Sequence, residues 1–518
     1  MKIVLIGDIG WNDFYHLGDE AMTDAALAEL VNRGVDDITV IAGDPEYASD
    51  EKGFSAVKRF GYRMGARHHN SRRLSDIMAH ARGEKALPPD DRALGTIAAV
   101  KEADAVLIAG GGNLNSTFDH HVYDRLTLVS LARLFNKPYA LTSQTIGPLI
   151  YDFDEPLFKD LLSDPVFFTA REKSTLALAQ KFCAHPDRAI IQMDDAFALT
   201  PRPADRASVQ NLAQGDYVVA SFAEKSSSPI LTDSEYHRLN AHICRSIAQA
   251  TGAEILLVPH AGALQNDLSK RDEITNQKLV DLAGDHRVRA TPMLTARELV
   301  ALTEKARLVI GTRYHAGIIA AGAGVPHLAL VPNMYSSVRM RGAAANVAFD
   351  EFVLPIQAVV DIVRVASGLM TDSAQTSQIR DAVRQYAQEQ RANHSLYWDT
   401  AVAALRGEST DLGKYALEPA AQPIANPFID SYEIHNQYLD TVEIYENLIS
   451  QRRAANSIEV NRLKAELRSL QEELRKHQEK IDVLQKQANA QEPTSRALIP
   501  VHPLARKAKR ALKRRFKR

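Results

Sequence analysis

The sequence predicts an α/β protein of two Rossmann-like domains in series, closed by a helical and coiled-coil extension and a basic tail. Three observations predict it. Short β-branched runs alternate with amphipathic stretches, the pattern of βαβ units around a parallel sheet. The alternation breaks at a proline-bearing segment and then restarts. Past about residue 370 it stops, and only helical periodicity continues.

In chain order, residues 1–205 form the first domain. Its strand candidates are KIVLIG, DITVIAG, DAVLIAGGG, KPYALTSQTIG, PVFFTAR and RAIIQMDD, separated by helical stretches such as DEAMTDAALAELVNRG. After TPRPADRASVQNLAQGD, residues 213–370 repeat the alternation with DYVVASFA, AEILLVPH, HRVRAT, ARLVIGTR and VPHLALVP. Near-continuous apolar strands fit sheets covered on both faces. Residues 371–407 read as one closing helix ended by Gly407, and 408–426, with EPAAQPIANP, as a linker. Residues 427–490 read as helix and coiled coil. There Val460, Leu463, Leu467, Leu470, Leu474, Ile481 and Leu484 recur at spacings of three and four, with His477 in the seam. Such a stripe must be buried, so self-association through 460–484 is expected. Residues 491–518 are a linker and basic tail, whose 505–518 portion has the composition of an interfacial helix on anionic lipid.

Composition narrows the function. With 45% hydrophobic and 24% charged residues in 518, the chain is an ordinary folded one. Its 62 basic and 64 acidic residues look balanced, yet nine of the basic ones fall in residues 501–518, leaving the body acidic. A phosphate-tracking surface is thus disfavoured on the body, and nucleic acid is not an expected partner. Two distant cysteines exclude a disulfide framework and fit a reducing compartment. The N-terminus lacks a signal-peptide core and no apolar run reaches about 18 residues. The expected address is cytoplasmic, with the tail at the inner face of the membrane.

Ligands of open parallel sheets bind beyond the carboxyl ends of the strands, where loops meet helix amino termini. Several motifs lie there: DIGWNDFYHLGDEAM, GGNLNSTFDHH, TIGP, Arg171, and Arg313-Tyr314-His315-Ala316. Gly111 and Gly112, in a triple glycine, allow close backbone approach to a ligand. No GxGxxG or GxxxxGK[ST] is present, which weighs against dinucleotide and P-loop readings. No CxxC or HxxxH occurs, and no metal or cofactor is expected; Asp194-Asp195 reads as structural. Arg171 and Arg313, one per domain and each directly after an apolar strand, suit a doubly anionic ligand held across the cleft. His315 beside Arg313 reads as a tunable acid, and Asp19 as a base or a helix-start carboxylate.

These motifs resemble the polysaccharide pyruvyl transferase family over roughly residues 1–350. The NxGDE element is echoed by His16-Leu17-Gly18-Asp19-Glu20, the triple glycine by Gly110–Gly112, and the GxGIGP loop by Ser143–Pro148. RExS is echoed by Arg171-Glu172-Lys173-Ser174 and RxHA by Arg313–Ala316. His16 stands where the family usually has Asn, Thr145 where it has Gly, and Arg339 where it often has Lys. The resemblance implies a GT-B-like pair of domains and transfer of a pyruvyl group from phosphoenolpyruvate, as co-substrate, to two sugar hydroxyls as a ketal, with release of phosphate. It implies Arg171 and Arg313, with Gly111 and Gly112, on the donor, His315 as acid and Asp19 as base. The acceptor would be a polysaccharide or lipid-linked glycan, with Asn113, His120, His121 and Gln144 as candidate contacts. A nucleotide-sugar glycosyltransferase and an inactive scaffold of the same fold are the alternatives.

Overall fold

The computed structural model describes residues 1–228, 231–265, 270–418 and 423–456. Residues Met1–Ser450 form one compact unit. Residues 451–518 form a second, of which 451–456 are described and are helical. The seam of 460–484 and the basic tail lie outside the described residues.

The first lobe contributes strands β1 (Lys2–Ile6), β2 (Tyr15–His16), β3 (Asp37–Ala42), β4 (Ser55–Lys58), β5 (Ala105–Ile108), β6 (Gly111–Leu114), β7 (Tyr139–Ile146), β8 (Phe168–Ala170) and β9 (Ala189–Ile191). The second contributes β10 (Tyr217–Ser221), β11 (Glu254–Leu257), β12 (Ala261–Gly262), β13 (Val288–Ala290), β14 (Leu308–Gly311), β15 (His327–Val331) and β16 (Val353–Pro355). One sheet runs β4-β3-β1-β5-β7-β8-β9, with β6 also on β7; the other runs β13-β11-β10-β14-β15-β16. Every pairing within these two sheets is parallel. Helices cover both faces, which is why β5, β7 and β10 are buried at every position.

Both sheets reverse strand order at one place, between β1 and β5 and between β10 and β14. These switch points open crevices at the carboxyl ends, and their loops carry the functional motifs. The predicted strands all form. Five short ones escaped the sequence reading. β4 is a half-exposed edge strand, β6 is largely glycine and asparagine, β16 has three residues, and β2 and β12 have two each. β2 and β12 pair antiparallel, His16 opposite Ala261, clipping one lobe to the other. Leu17 N–H donates to His260 O at 2.9 Å beside this clip, and Ala296 N–H donates to the Tyr15 hydroxyl at 3.0 Å.

A single helix, Ala374–Leu405, spans both lobes. Ile379 and Val383 enter the second-lobe core, while Tyr397, Trp398, Ala401, Val402 and Leu405 enter the first. The stretch 408–426, read as a linker, is seated on the body where described. Leu417 N–H donates to Ile191 O at 2.9 Å and Ile424 N–H to Ala348 O at 2.7 Å, and Asn426 N–H donates to Glu351 Oε2 at 2.7 Å. Residues 432–450 then form a helix that buries Leu439 and Val442. Among the described residues no helix is long and apolar enough to cross a membrane.

Candidate active site

A cavity of about 410 Å³ lies between the lobes, and its lining includes His16, Gly18, Lys225, Arg313, His315 and Arg339. The two lobes meet over the imidazole. His315 follows β14 in the first turn of the Tyr314–Ala323 helix. Its ring lies against the backbone of Gly18, where a Cβ would fall 1.9 Å from Nδ1, so only glycine permits the approach.

His315 Nε2 stands 3.6 Å from Asp194 Oδ2. The same oxygen accepts from Arg171 Nη1 at 2.5 Å. Asp194 and Arg171 are both fully enclosed. Burial alone would raise the Asp194 carboxyl, but Arg171 and His315 hold it well below the usual carboxylate range. Burial lowers the His315 pKa; Asp194 offsets part of this and Arg171 adds to it. The neutral form of the imidazole is therefore more favoured than in a free histidine, and an anion placed beside it would raise its proton affinity.

The expected pair of clamping arginines divides. Arg313 lines the cavity, with Nη2 held by Asp272 at 2.6 and 2.5 Å. Asp272 also accepts the His260 and Ala261 amides at 3.0 Å, fixing the loop behind it. Arg171 does not line the cavity. Besides Asp194, its fork donates to Thr145 Oγ1 at 3.2 and 2.6 Å. Its guanidinium carbon lies 4.5 Å from the Tyr314 ring centroid. Arg171 is fully buried, and these hydrogen bonds place it behind His315, where it holds Asp194. Arg339 faces the cavity instead, 4.5 Å from the Tyr314 ring and 4.6 Å from that of Tyr335.

Gly111 and Gly112 are absent from the cavity lining. Gly112 admits the two guanidiniums: a Cβ there would lie 2.8 Å from Arg339 Nη2 and 3.2 Å from Arg171 Nη2. Its carbonyl accepts the Tyr335 hydroxyl. Asp19 sits behind the rim, with Oδ2 2.7 Å from Nδ1 of His16. Burial disfavours a charged His16, but Asp19 more than offsets it and raises the imidazole pKa.

The acceptor candidates are not brought to this cavity. Gln144 donates both amide hydrogens to backbone, to Ala109 O at 2.8 Å and Thr142 O at 2.7 Å. Asn113 Oδ1 is buried without a partner. His121 Nδ1 lies 3.1 Å from both Arg59 Nη2 and Arg125 Nη1, and Nε2 lies 3.4 Å from Asp8. Burial lowers the His121 pKa well below the usual imidazole value, and that of His120, its ring tilted 39° with centroids 3.9 Å apart, is lowered likewise.

Sequence reasoning missed Asp194, Asp272, Lys225 and the placing of Arg339. Asp194 lies three residues past the apolar strand β9, on the same sheet edge as Arg171 directly after β8, and was read as structural. Nothing local marked Asp272, whose importance comes from the distant Arg313. Among the described residues no group of three or more His, Cys, Asp or Glu is placed to hold a metal ion.

Two parallel switch-point sheets facing across a cation-lined cavity define a GT-B fold. Two of the solved structures that share it are these. One is assigned as a UDP-N-acetylglucosamine 2-epimerase of Listeria monocytogenes, with TM-score 0.51, 13% identity, and 79% of this chain and 98% of that one covered. The other is HepE of Anabaena, in complex with UDP-glucose, with TM-score 0.50, 11% identity, and 78% and 100% covered. No curated protein matches the chain in sequence. The polysaccharide pyruvyl transferase family model matches residues 16–333, and the chain belongs to that family.

Proposed function

We propose that the protein transfers a pyruvyl group from phosphoenolpyruvate to two hydroxyls of a sugar, in a polysaccharide or lipid-linked glycan, as a cyclic ketal. The observation that carries this reading is one cavity holding a carboxylate-backed imidazole and three cationic side chains, Arg313, Arg339 and Lys225. Phosphoenolpyruvate brings a carboxylate and a phosphate, which forked cations bind well. In the reaction, His315 delivers a proton to the methylene carbon, leaving an oxocarbenium-like C2. One hydroxyl adds there and gives its proton to the His16–Asp19 pair. The C2–O bond to phosphorus then breaks and phosphate leaves with the electron pair. The second hydroxyl adds to the regenerated cation and gives its proton to the His315 imidazole, which restores the acid, while the proton held by His16–Asp19 leaves with the phosphate. The products are the ketal, now bearing a methyl group, and inorganic phosphate. Asp194 fixes the imidazole and favours its charged form, and Arg171 holds Asp194.

For the acceptor, we assign the open cavity of about 480 Å³ lined by Trp11, Asn12, Asp13, Lys58 and Arg92, where an aromatic face and polar rim suit a sugar. Trp11→Ala raises KM for the glycan and leaves KM for phosphoenolpyruvate unchanged; equal effects on both would remove this assignment. The test of the reaction class is a thermal-shift comparison. Phosphoenolpyruvate raises Tm with concentration and a panel of nucleotide sugars does not. Stabilisation by a nucleotide sugar alone would make the protein a glycosyltransferase.

A further inference from the structure

The helix formed by residues 432–450 lies beyond the family match and carries an apolar stripe that breaks at one residue. Leu439 and Val442 are buried against the second lobe, and the next position of that stripe is Glu446, which is 7% exposed. A carboxylate at an apolar position needs a reason. Glu446 Oε2 accepts the Met334 N–H at 2.8 Å, at the amino end of the twelve-residue Met334–Ala345 helix. Glu446 Oε1 is buried without a partner. Asn333 caps that helix, accepting Ser336 N–H at 2.9 Å and donating to Ser226 O at 2.7 Å, so the first turn is held fixed. Met334, Glu446, Arg339 and Lys225 all line the donor cavity.

We propose that the amino end of the Met334–Ala345 helix is a phosphate seat of this cavity and that Glu446 is its built-in occupant, which the incoming anion displaces. The proposal rests on the phosphoenolpyruvate reading and deepens it. The Met334 amide that Glu446 holds, together with the positive dipole end of the helix, binds a phosphate oxygen once the carboxylate moves aside. A carboxylate on the same amide excludes them by charge and by occupancy. Its hold is weak, because half of its acceptor capacity is buried and unsatisfied. Burial accordingly raises the Glu446 pKa despite the Met334 hydrogen bond. The rest of the helix is tethered independently. Arg341 donates to Asp440 at 2.7 Å, Glu443 at 3.0 Å and Asn436 at 2.6 Å, and Ser337 donates to Glu443. Glu446 can therefore swing aside while the helix stays docked, making entry of the anionic donor conditional on this one side chain.

Titration calorimetry of inorganic phosphate into the full chain tests this without turnover. Glu446→Gln keeps an acceptor for Met334 N–H and removes the charge; it tightens phosphate binding by about tenfold. Glu446→Asp keeps the charge and binds as the native protein does. Phosphate binding no tighter in Glu446→Gln, or equally tightened in Glu446→Asp, overturns the proposal. The two readings separate. Tighter phosphate binding in a protein that transfers no pyruvyl group sinks the reaction and leaves the seat, whereas an active enzyme indifferent to Glu446→Gln sinks the seat and leaves the reaction.

Discussion

Arg171 and Asp194 are each too costly to bury alone, and together they make a fixed dipole behind His315. Removing one partner of such a buried pair typically costs about 3–5 kcal/mol, so loss of activity in Arg171→Ala mixes stability with chemistry. Asp194→Asn is cleaner when read through pH. Asp194 raises the His315 pKa, and the imidazole must be protonated to act as acid. Activity therefore falls as pH rises through that pKa, and without the Asp194 charge the fall moves to lower pH. A kcat/KM profile with an unmoved alkaline limb would remove Asp194 from the mechanism. The sequence made the strand-end places of Arg313 and His315 legible, because strand-end position is local information, and both line the cavity. It hid the direction in which Arg171 points. That depends on Thr145, Asp194 and Tyr314 meeting it from three segments, which no local pattern encodes.

Among the elements, the Ala374–Leu405 helix ties the two lobes together, since it enters the cores of both. Trp398 is completely buried, and its indole N–H donates to Asp195 Oδ1 at 3.2 Å and lies 3.1 Å from His394 Nε2. Trp398→Ala lowers unfolding free energy by about 3–5 kcal/mol, measurable by urea titration; a change below about 1 kcal/mol would show that the helix is not part of the cooperative unit. The periodicity of this segment gave its helical character away. Its partners did not show, because an amphipathic stripe names a buried face without naming what covers it. The β2–β12 clip was invisible for a related reason: two-residue strands have no pattern, and their pairing is set by the lobes on either side.

For the whole molecule, strand order does the arranging. Both sheets reverse at a switch point, so the loops after β10 and β14 approach the first lobe's β2 rim, placing Arg313 and His315 opposite His16 and Gly18. The alternation of apolar runs and helices made this architecture readable from the chain, including the restart near residue 213. The cavity's cation set was only half readable, since Lys225 and Arg339 gain their meaning from facing Arg313 across the folded cleft. The most direct test measures ketal on the glycan by mass spectrometry and phosphate released from phosphoenolpyruvate in the same reaction, for the native chain, Arg313→Ala and His315→Ala. One phosphate per ketal in the native chain, and neither product from the two variants, is the predicted result. Phosphate release that persists unchanged in both variants, or release with no ketal formed, contradicts it.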